Sequence, residues 1–327
     1  METTTENVSP GGSRVTGVDA SAVRRLHDRV AAHLVGRQRE LDLLLAAVAA
    51  GRDVLLEGPP GTSKSTLLRA ITTEWGIPLI FVEGNADLTP TRLVGSHDPS
   101  RVLRENYTVD NFVPGPLVEA MREGGFLYVE EFNRAPEDTL NTLLTAMAER
   151  RITVPRVGTV EARPTFRLVA SMNPYDNVGT TRLSTSVLDR LCRLAIGYQD
   201  AGAERGILDR HTSGGPARLI ADAVALTRAT RGRDDVRQGS SVRGAIDLAL
   251  VAAQLAAMRG IAVPDDPSLE PPRGLPDEYT TVVLDAALLA LSGRIFLDET
   301  LGGTPESVIR EVWEDHFLLR PASADPG

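Results

Sequence analysis

Eight consecutive residues, Gly58-Pro59-Pro60-Gly61-Thr62-Ser63-Lys64-Ser65, join a glycine-containing loop to a lysine and a hydroxyl. They fit the phosphate-loop template of glycine, four residues, glycine, lysine and serine or threonine, with Ser63 in place of the second glycine. Backbone N–H groups of such a loop, and of a helix that follows it, point at phosphate oxygens, and the helix dipole favours the anion. Lys64 would neutralise the outer phosphates, and Ser65 would offer its hydroxyl to a magnesium ion. Ser63 is expected at negative φ, where a Cβ is tolerated. A plain strand–turn–helix connection could also contain these glycines and prolines. That reading weakens once the Lys64-Ser65 pair stands at the start of a helix.

A second group lies further along the chain. Phe126-Leu127-Tyr128-Val129 reads as a buried strand, and it ends in Glu130-Glu131. Beside a phosphate-loop strand, Glu130 would face the metal and Glu131 would polarise an attacking water as general base. Glu130 stands where such sites usually have aspartate. Taken alone, a strand ending in two glutamates is more often a solvated strand end; the phosphate loop upstream reverses that preference. A third strand, over 166–171, leads to Asn173-Pro174. Asn173 could contact the γ-phosphate or the water, or it could be a turn asparagine before proline.

Those groups need strands that bring them to one edge. Short apolar runs at 53–57, 77–82, 126–129 and 166–171 have the length of buried strands, and helical stretches alternate with them. The alternation predicts an α/β domain with a parallel sheet and helices on both faces. Helical spacing over 20–50 breaks at Val35-Gly36. A helix is expected from Lys64 to about Thr73. Past about 200 the strand signals fade, and 217–231, 241–258, 280–292 and 306–318 read as helices, the last with Trp313 in the core. The expected organisation is therefore a flexible tail over 1–19, an α/β domain over 20–200 and a smaller helical lid over 201–327. A proline-rich loop is expected near 261–276.

The 327 residues carry a formal net charge of −9, so an extended nucleic-acid surface is disfavoured. No run reaches the roughly 18 apolar residues of a membrane-spanning helix. The N-terminal residues lack the pattern of a secretory signal. Cys192 is the single cysteine, which excludes an internal disulfide framework. These features predict a cytoplasmic protein.

The ordered motifs resemble the MoxR-type AAA+ ATPases. The resemblance rests on the phosphate loop and on Val35-Gly36-Arg37, Phe112-Val-Pro-Gly-Pro-Leu117, Glu130-Glu-Phe-Asn-Arg-Ala-Pro136, Ala146-Met-Ala-Glu149, Met172-Asn-Pro174, Leu188-Asp-Arg190 and Gly239-Ser-Ser-Val-Arg243. It implies ATP and Mg²⁺ as cofactors and a homo-hexameric ring. Residues Gly58 to Thr66 would hold the phosphates, while Val35 and Gly36 would line the adenine pocket. Asn173 would be the sensor on the third strand. Arg190 would reach a neighbour's γ-phosphate, and Arg243 would project from the lid onto the nucleotide of its own subunit. Each arginine has a plainer reading: an ion pair of Asp189 with Arg190, or a helix-face position for Arg243. Arg134 would lie at a subunit interface or be a simple surface charge.

The resemblance also implies two insertions, at 101–111 and as a hairpin over 151–163, facing a pore or a client; surface hairpins are the alternative. The implied function is a remodelling or maturation chaperone with a protein client and a partner carrying a von Willebrand factor A domain. Similarity of the Glu130-Glu-Phe-Asn-Arg-Ala-Pro-Glu-Asp138 stretch to ATPases accompanying molybdenum hydroxylases, such as carbon monoxide dehydrogenase, points to metalloenzyme activation. A nucleic-acid motor and a small-molecule kinase are the competing classes.

Overall fold

A computed structural model describes residues 20–176, 180, 182–266, 276–298 and 302–319. The tail expected over 1–19 and the centre of the proline-rich loop, 267–275, lie outside the described residues.

Helices α1 (Ala20–His33) and α2 (Gln38–Ala49) precede β1 (Val54–Glu57), and α3 (Lys64–Trp75) joins β1 to β2 (Leu79–Glu83). Helix α3 ends where Gly76 takes the left-handed conformation that closes helices. Strand β2 starts later than its apolar run because Pro78 has no N–H to give; its carbonyl accepts from Phe126 N instead. Next come α4 (Pro90–Val94), β3 (Gly95–His97), α5 (Pro99–Glu105), β4 (Phe112–Pro114) and α6 (Pro116–Glu123). The segment 101–111 is thus no hairpin. It contributes most of helix α5, capped by Asp98 and started by Pro99, set between the antiparallel strands β3 and β4.

Strand β5 (Phe126–Glu130) leads to α7 (Glu137–Glu149), and the hairpin β6 (Arg151–Val154) and β7 (Gly158–Glu161) follows. Its turn lies at 155–157, with Arg156 at positive φ and Gly158 already paired to Val154. Strand β8 (Arg167–Met172), the short α8 (Thr185–Leu188) and β9 (Cys192–Ala195) complete the α/β part.

Five strands form one parallel sheet in the order β2-β5-β8-β1-β9. Its alternating side chains feed two cores, one on each face. Leu55, Leu127 and Val129 pack against α6 and α7 residues on one face, while Val54, Leu56, Phe126 and Tyr128 join α1, α2 and α3 on the other. Buried Asp53 ties the sheet's lower edge together by accepting from Leu168 N at 2.7 Å and pairing with Arg150.

The register sets the site. Glu57 lies level with Met172, and Glu83 with Glu130, so β1, β8, β2 and β5 all end along the same edge. Ligands of open α/β sheets collect at such carboxyl ends.

The remaining helices are α9 (Ala201–His211), α10 (Ala217–Ala229), α11 (Val242–Arg259), α12 (Glu278–Leu291) and α13 (Pro305–Phe317). They enclose a separate core in which Trp313 is buried and donates its indole N–H to Thr280 O. Two strands too short to show alternation, β10 (Val236–Gln238) and β11 (Phe296–Leu297), pair antiparallel beside this bundle. Together these elements form an α/β sheet structure followed by a helical region.

Candidate functional site

The phosphate loop leaves β1 and enters α3 under tight steric control. A Cβ on Gly58 would stand 2.0 Å from Ile196 O, so the backbone passes where no side chain fits. Gly61, at φ 71°, sits against Ser241, whose Oγ a Cβ would meet at 2.2 Å. Gly58 N donates to Met172 O at 3.1 Å, joining the loop to the tip of β8. Thr62 Oγ1 donates to Pro59 O, and Pro60 lies beside the 239–241 segment that leads into α11.

Ser63 corrects the expectation of negative φ: it adopts φ 67°, ψ 19°. The chain must turn sharply here to start α3, which is why the template has glycine at this place. A side chain in that region costs about 1–2 kcal/mol. Ser63→Gly relieves that strain but adds freedom to the unfolded chain. We expect a net stabilisation of about 0.5–1 kcal/mol, read as a higher denaturation midpoint at an unchanged m-value.

Lys64 is half-buried, and its Nζ donates to Gly58 O at 2.8 Å and Pro59 O at 2.9 Å. No carboxylate lies at ion-pair distance from it among the described residues. Burial pushes its pKa down to about 8; Glu131 and Glu130 oppose the shift, and Arg243 and Arg37 add to it. A half-buried cation held only by carbonyls fits an anion such as phosphate.

The second cluster meets at Tyr128. Its buried hydroxyl lies 2.9 Å from Ser171 Oγ and 3.4 Å from Glu130 Oε1. Burial pushes this phenol well above its ordinary value. Glu130, one of the two expected metal residues, is thus met by a neutral hydroxyl. Among the described residues no group of three or more metal-binding side chains occurs. One hydroxyl plus one carboxylate suits Mg²⁺, which keeps waters and shares phosphate oxygens.

Glu131 takes a left-handed backbone, φ 52° and ψ 45°, that turns its side chain off the end of β5. Burial raises its pKa, and Arg134 pulls it back down. Asn173 reaches the same edge, where its Oδ1 accepts from Tyr175 N at 3.2 Å. That is the turn geometry expected before proline.

A cleft of about 310 Å³ separates the loop from the helical region. Val35, Gly61, Ser63, Thr66 and Arg243 line it, so the lead-in, the loop and α11 face one another. Leu34, Ile207, Val242 and Ile246 give it apolar walls. Gly36 lies beside it against Gln199. Arg37, the last residue of the Val35-Gly36-Arg37 lead-in, gains a role that its motif does not indicate: it is buried and donates to Thr62 O at 3.1 Å and Gly197 O at 2.7 Å. It locks the loop to the segment leaving β9.

Arg190 does not join this cluster. It precedes β9 at the opposite edge of the sheet, exposed, with Nη1 donating to Ser186 O at 2.8 Å. There it lines a separate polar cleft of about 630 Å³ with Arg52, Arg150 and Asp189. No ion pair joins Asp189 to Arg190 among the described residues.

Residues 53–191 match the AAA domain of the dynein-related subfamily. The match begins at β1 and ends just past Arg190, taking in both carboxylates and the β8 tip. This part of the chain is an AAA domain with a phosphate loop. A gas vesicle ATPase of Ancylobacter aquaticus is 28% identical over 286 residues, covering 82% of this chain and 73% of that protein. Another, from Haloferax mediterranei, is 30% identical and covers 58% of this chain and 59% of that protein. Among solved structures, a Cytophaga hutchinsonii protein described as an ATPase aligns with a TM-score of 0.49 at 20% identity. That alignment covers 89% of this chain and 93% of its own. The chain binds nucleotide and hydrolyses ATP. None of its described helices is long and apolar enough to cross a membrane.

Proposed function

We propose that the chain is a MoxR-type remodelling or maturation ATPase, working as a homo-hexameric ring on a protein client. The observation that carries this reading is the separation of charges. Lys64, Glu130 and Glu131 share one electrostatic cluster to which Arg243 also contributes, whereas Arg190 stands at the far edge of the sheet. A site completed by a neighbour needs such an arrangement.

In this reading the tail is 1–19, the ATPase domain 20–200 and the helical lid 201–327. Val35 and Gly36 contact adenine, and the backbone of Gly58 to Thr66 holds the phosphates. Lys64 neutralises the outer phosphates; Ser65 and Glu130 would hold Mg²⁺, with Tyr128 orienting Glu130. A magnesium ion held there would supply charge neutralisation for the phosphates. Glu131 takes the proton of the attacking water, and Asn173 orients that water through its amide. Arg243 lies on the nucleotide of its own subunit and transmits its state to the lid.

The similarity to proteins named for gas vesicles favours an ATPase devoted to one cellular assembly. A cytoplasmic location, a partner with a von Willebrand factor A domain and metalloenzyme activation belong to the same reading. The nucleic-acid motor loses ground because two insert arginines, Arg101 and Arg151, are paired with Glu105 and Glu149.

ATP hydrolysis per protomer should rise with protein concentration in the presence of Mg²⁺, then level off as assembly completes. A substantial rate that stays flat down to concentrations where sizing finds monomer would overturn the shared site and revive the kinase reading.

A further inference from the structure

Glu204 lies in the first turn of α9, outside every motif of the phosphate site, and its side chain is 2% exposed. It is a buried carboxylate with two cationic partners. Its Oε1 accepts from Arg231 Nη1 at 2.7 Å and its Oε2 from Arg228 Nη1 at 3.3 Å. Stability alone is a weak reason to bury such a group, because desolvation offsets much of the attraction. The other contacts of the two arginines supply a better one.

Arg228 leads to the base side of the cleft. Its Nη1 also donates to Gln199 O at 2.8 Å. The Gln199 side chain lines the cleft. In the amide orientation that satisfies both of its ends, it donates to Val35 O at 3.0 Å and accepts from Arg37 Nε at 3.3 Å. Arg231 leads to the phosphate side. Its Nε donates to Ser240 O at 2.6 Å, and its guanidinium lies 4.1 Å from the centre of the Tyr198 ring. Tyr198 Oη donates to Gly239 O at 3.1 Å, and Ser240 N donates to Thr230 Oγ1 at 3.0 Å. Gly239 permits this close approach, since a Cβ there would stand 2.7 Å from Thr230 O. The segment so held runs directly into Ser241, which packs on Gly61, and into Arg243.

We propose that Glu204 is a positioning residue for the nucleotide: through Arg228 and Arg231 it fixes Val35 and Gln199, on the base side, relative to the segment that carries Arg243. It rests on the reading that Val35 meets adenine and Arg243 the phosphates. One ligand must touch both sides at once, so their spacing has to match its span. A single carboxylate bonded to both sides sets that spacing without touching the ligand.

The test uses the full chain with Mg²⁺ and measures binding of ATP and of inorganic tripolyphosphate, which has the phosphates and no base. For Arg228→Met we expect ATP affinity to fall about five- to tenfold while tripolyphosphate affinity stays within about twofold, because only the base side is loosened. Tyr198→Phe gives up one hydrogen bond to the Gly239 carbonyl, so both ligands should weaken by the same factor, about threefold. Glu204→Gln frees both arginines and should weaken both ligands, ATP the more. A purely structural role would lower the denaturation midpoint and shift the two ligands alike.

Equal changes for the two ligands in Arg228→Met, or none, overturn the proposal, as does a Tyr198→Phe that binds tripolyphosphate as the parent does. The Arg228 side chain is 38% exposed and Tyr198 is half-buried, so these two variants decide the matter even where Glu204→Gln does not fold. The underlying reading has its own controls. Val35→Trp fills the base side and should weaken ATP while sparing tripolyphosphate; Arg243→Ala should weaken both. If either control fails, the assignment of that side falls, and the positioning role falls with it. If both controls hold and the Arg228→Met and Tyr198→Phe patterns do not, Glu204's role alone is removed.

Discussion

Lys64→Ala is expected to weaken ATP binding by about 2 kcal/mol or more, the lower end for removing one partner of a hydrogen-bonded charge pair. Hydrolysis should fall with it, by about two orders of magnitude or more. The large effect follows from where the ammonium sits. It is half-buried and rests on two carbonyls of its own loop, so the fold has already met part of the cost of desolvating it. The same burial makes binding depend on pH. The free lysine has been pushed down to about 8, and a phosphate held against it raises that value again. The interaction is therefore fully present below about pH 8 and is lost as pH rises from there toward the pKa of the complex. Affinity should drop by up to about tenfold per pH unit over that window, with proton uptake on binding. Phosphate groups are already ionised at these pH values, so they add no slope of their own. Titrating the nucleotide at pH 7, 8, 9 and 10 checks this, with Lys64→Ala as the control that should lack the extra slope. An equal slope in both proteins would mean that Lys64 does not hold the phosphates.

The phosphate loop and the strand ends were legible because each is local. Gly58 to Ser65 is one turn between a strand and a helix, and Phe126 to Glu131 is one strand with its tip. Parallel pairing then brings both to the same edge without further information. Tyr128 could have been found the same way: with a period of two it shares a face with Glu130, yet within Phe-Leu-Tyr-Val it read only as core. A serine at position 63 points to negative φ, whereas the turn into α3 keeps the left-handed geometry of the template's glycine and the side chain accepts the strain.

Less was visible where the site is built from distant segments. Gln199, Ile207 and Val242 reach the cleft from β9's exit, α9 and α11, and no spacing in the sequence links them to Val35 or Gly61. The buried role of Arg37 depends on two carbonyls, one of them 160 positions away. Helix α5 was hidden by alternating residues in a segment where Asp98 and Pro99 supply the start signal. Local chemistry is thus readable from the sequence, while the walls and clamps around it follow from the tertiary fold.

Arg190→Ala is expected to lower kcat by about three orders of magnitude, the effect of removing an arginine that meets transition-state charge. Folding should be unaffected, since the side chain is exposed and gives up a single hydrogen bond to Ser186 O. A defect of that size in an exposed residue far from Lys64 needs a neighbour's nucleotide to act on. Mixing makes the point directly. Lys64→Ala subunits lack a working phosphate site but keep Arg190; Arg190→Ala subunits have the reverse defect. Each should be inactive alone. In an equal mixture, random assembly of a head-to-tail ring gives about a quarter of the interfaces an intact Lys64 facing an intact Arg190, and hydrolysis should reappear at that scale. A guanidinium that served its own subunit would give no such recovery, because neither kind of subunit holds both groups. Recovery would therefore fix Arg190 as the residue that makes hydrolysis a property of the interface. Its absence, with both variants folded and co-assembled, would return the reaction to a single chain.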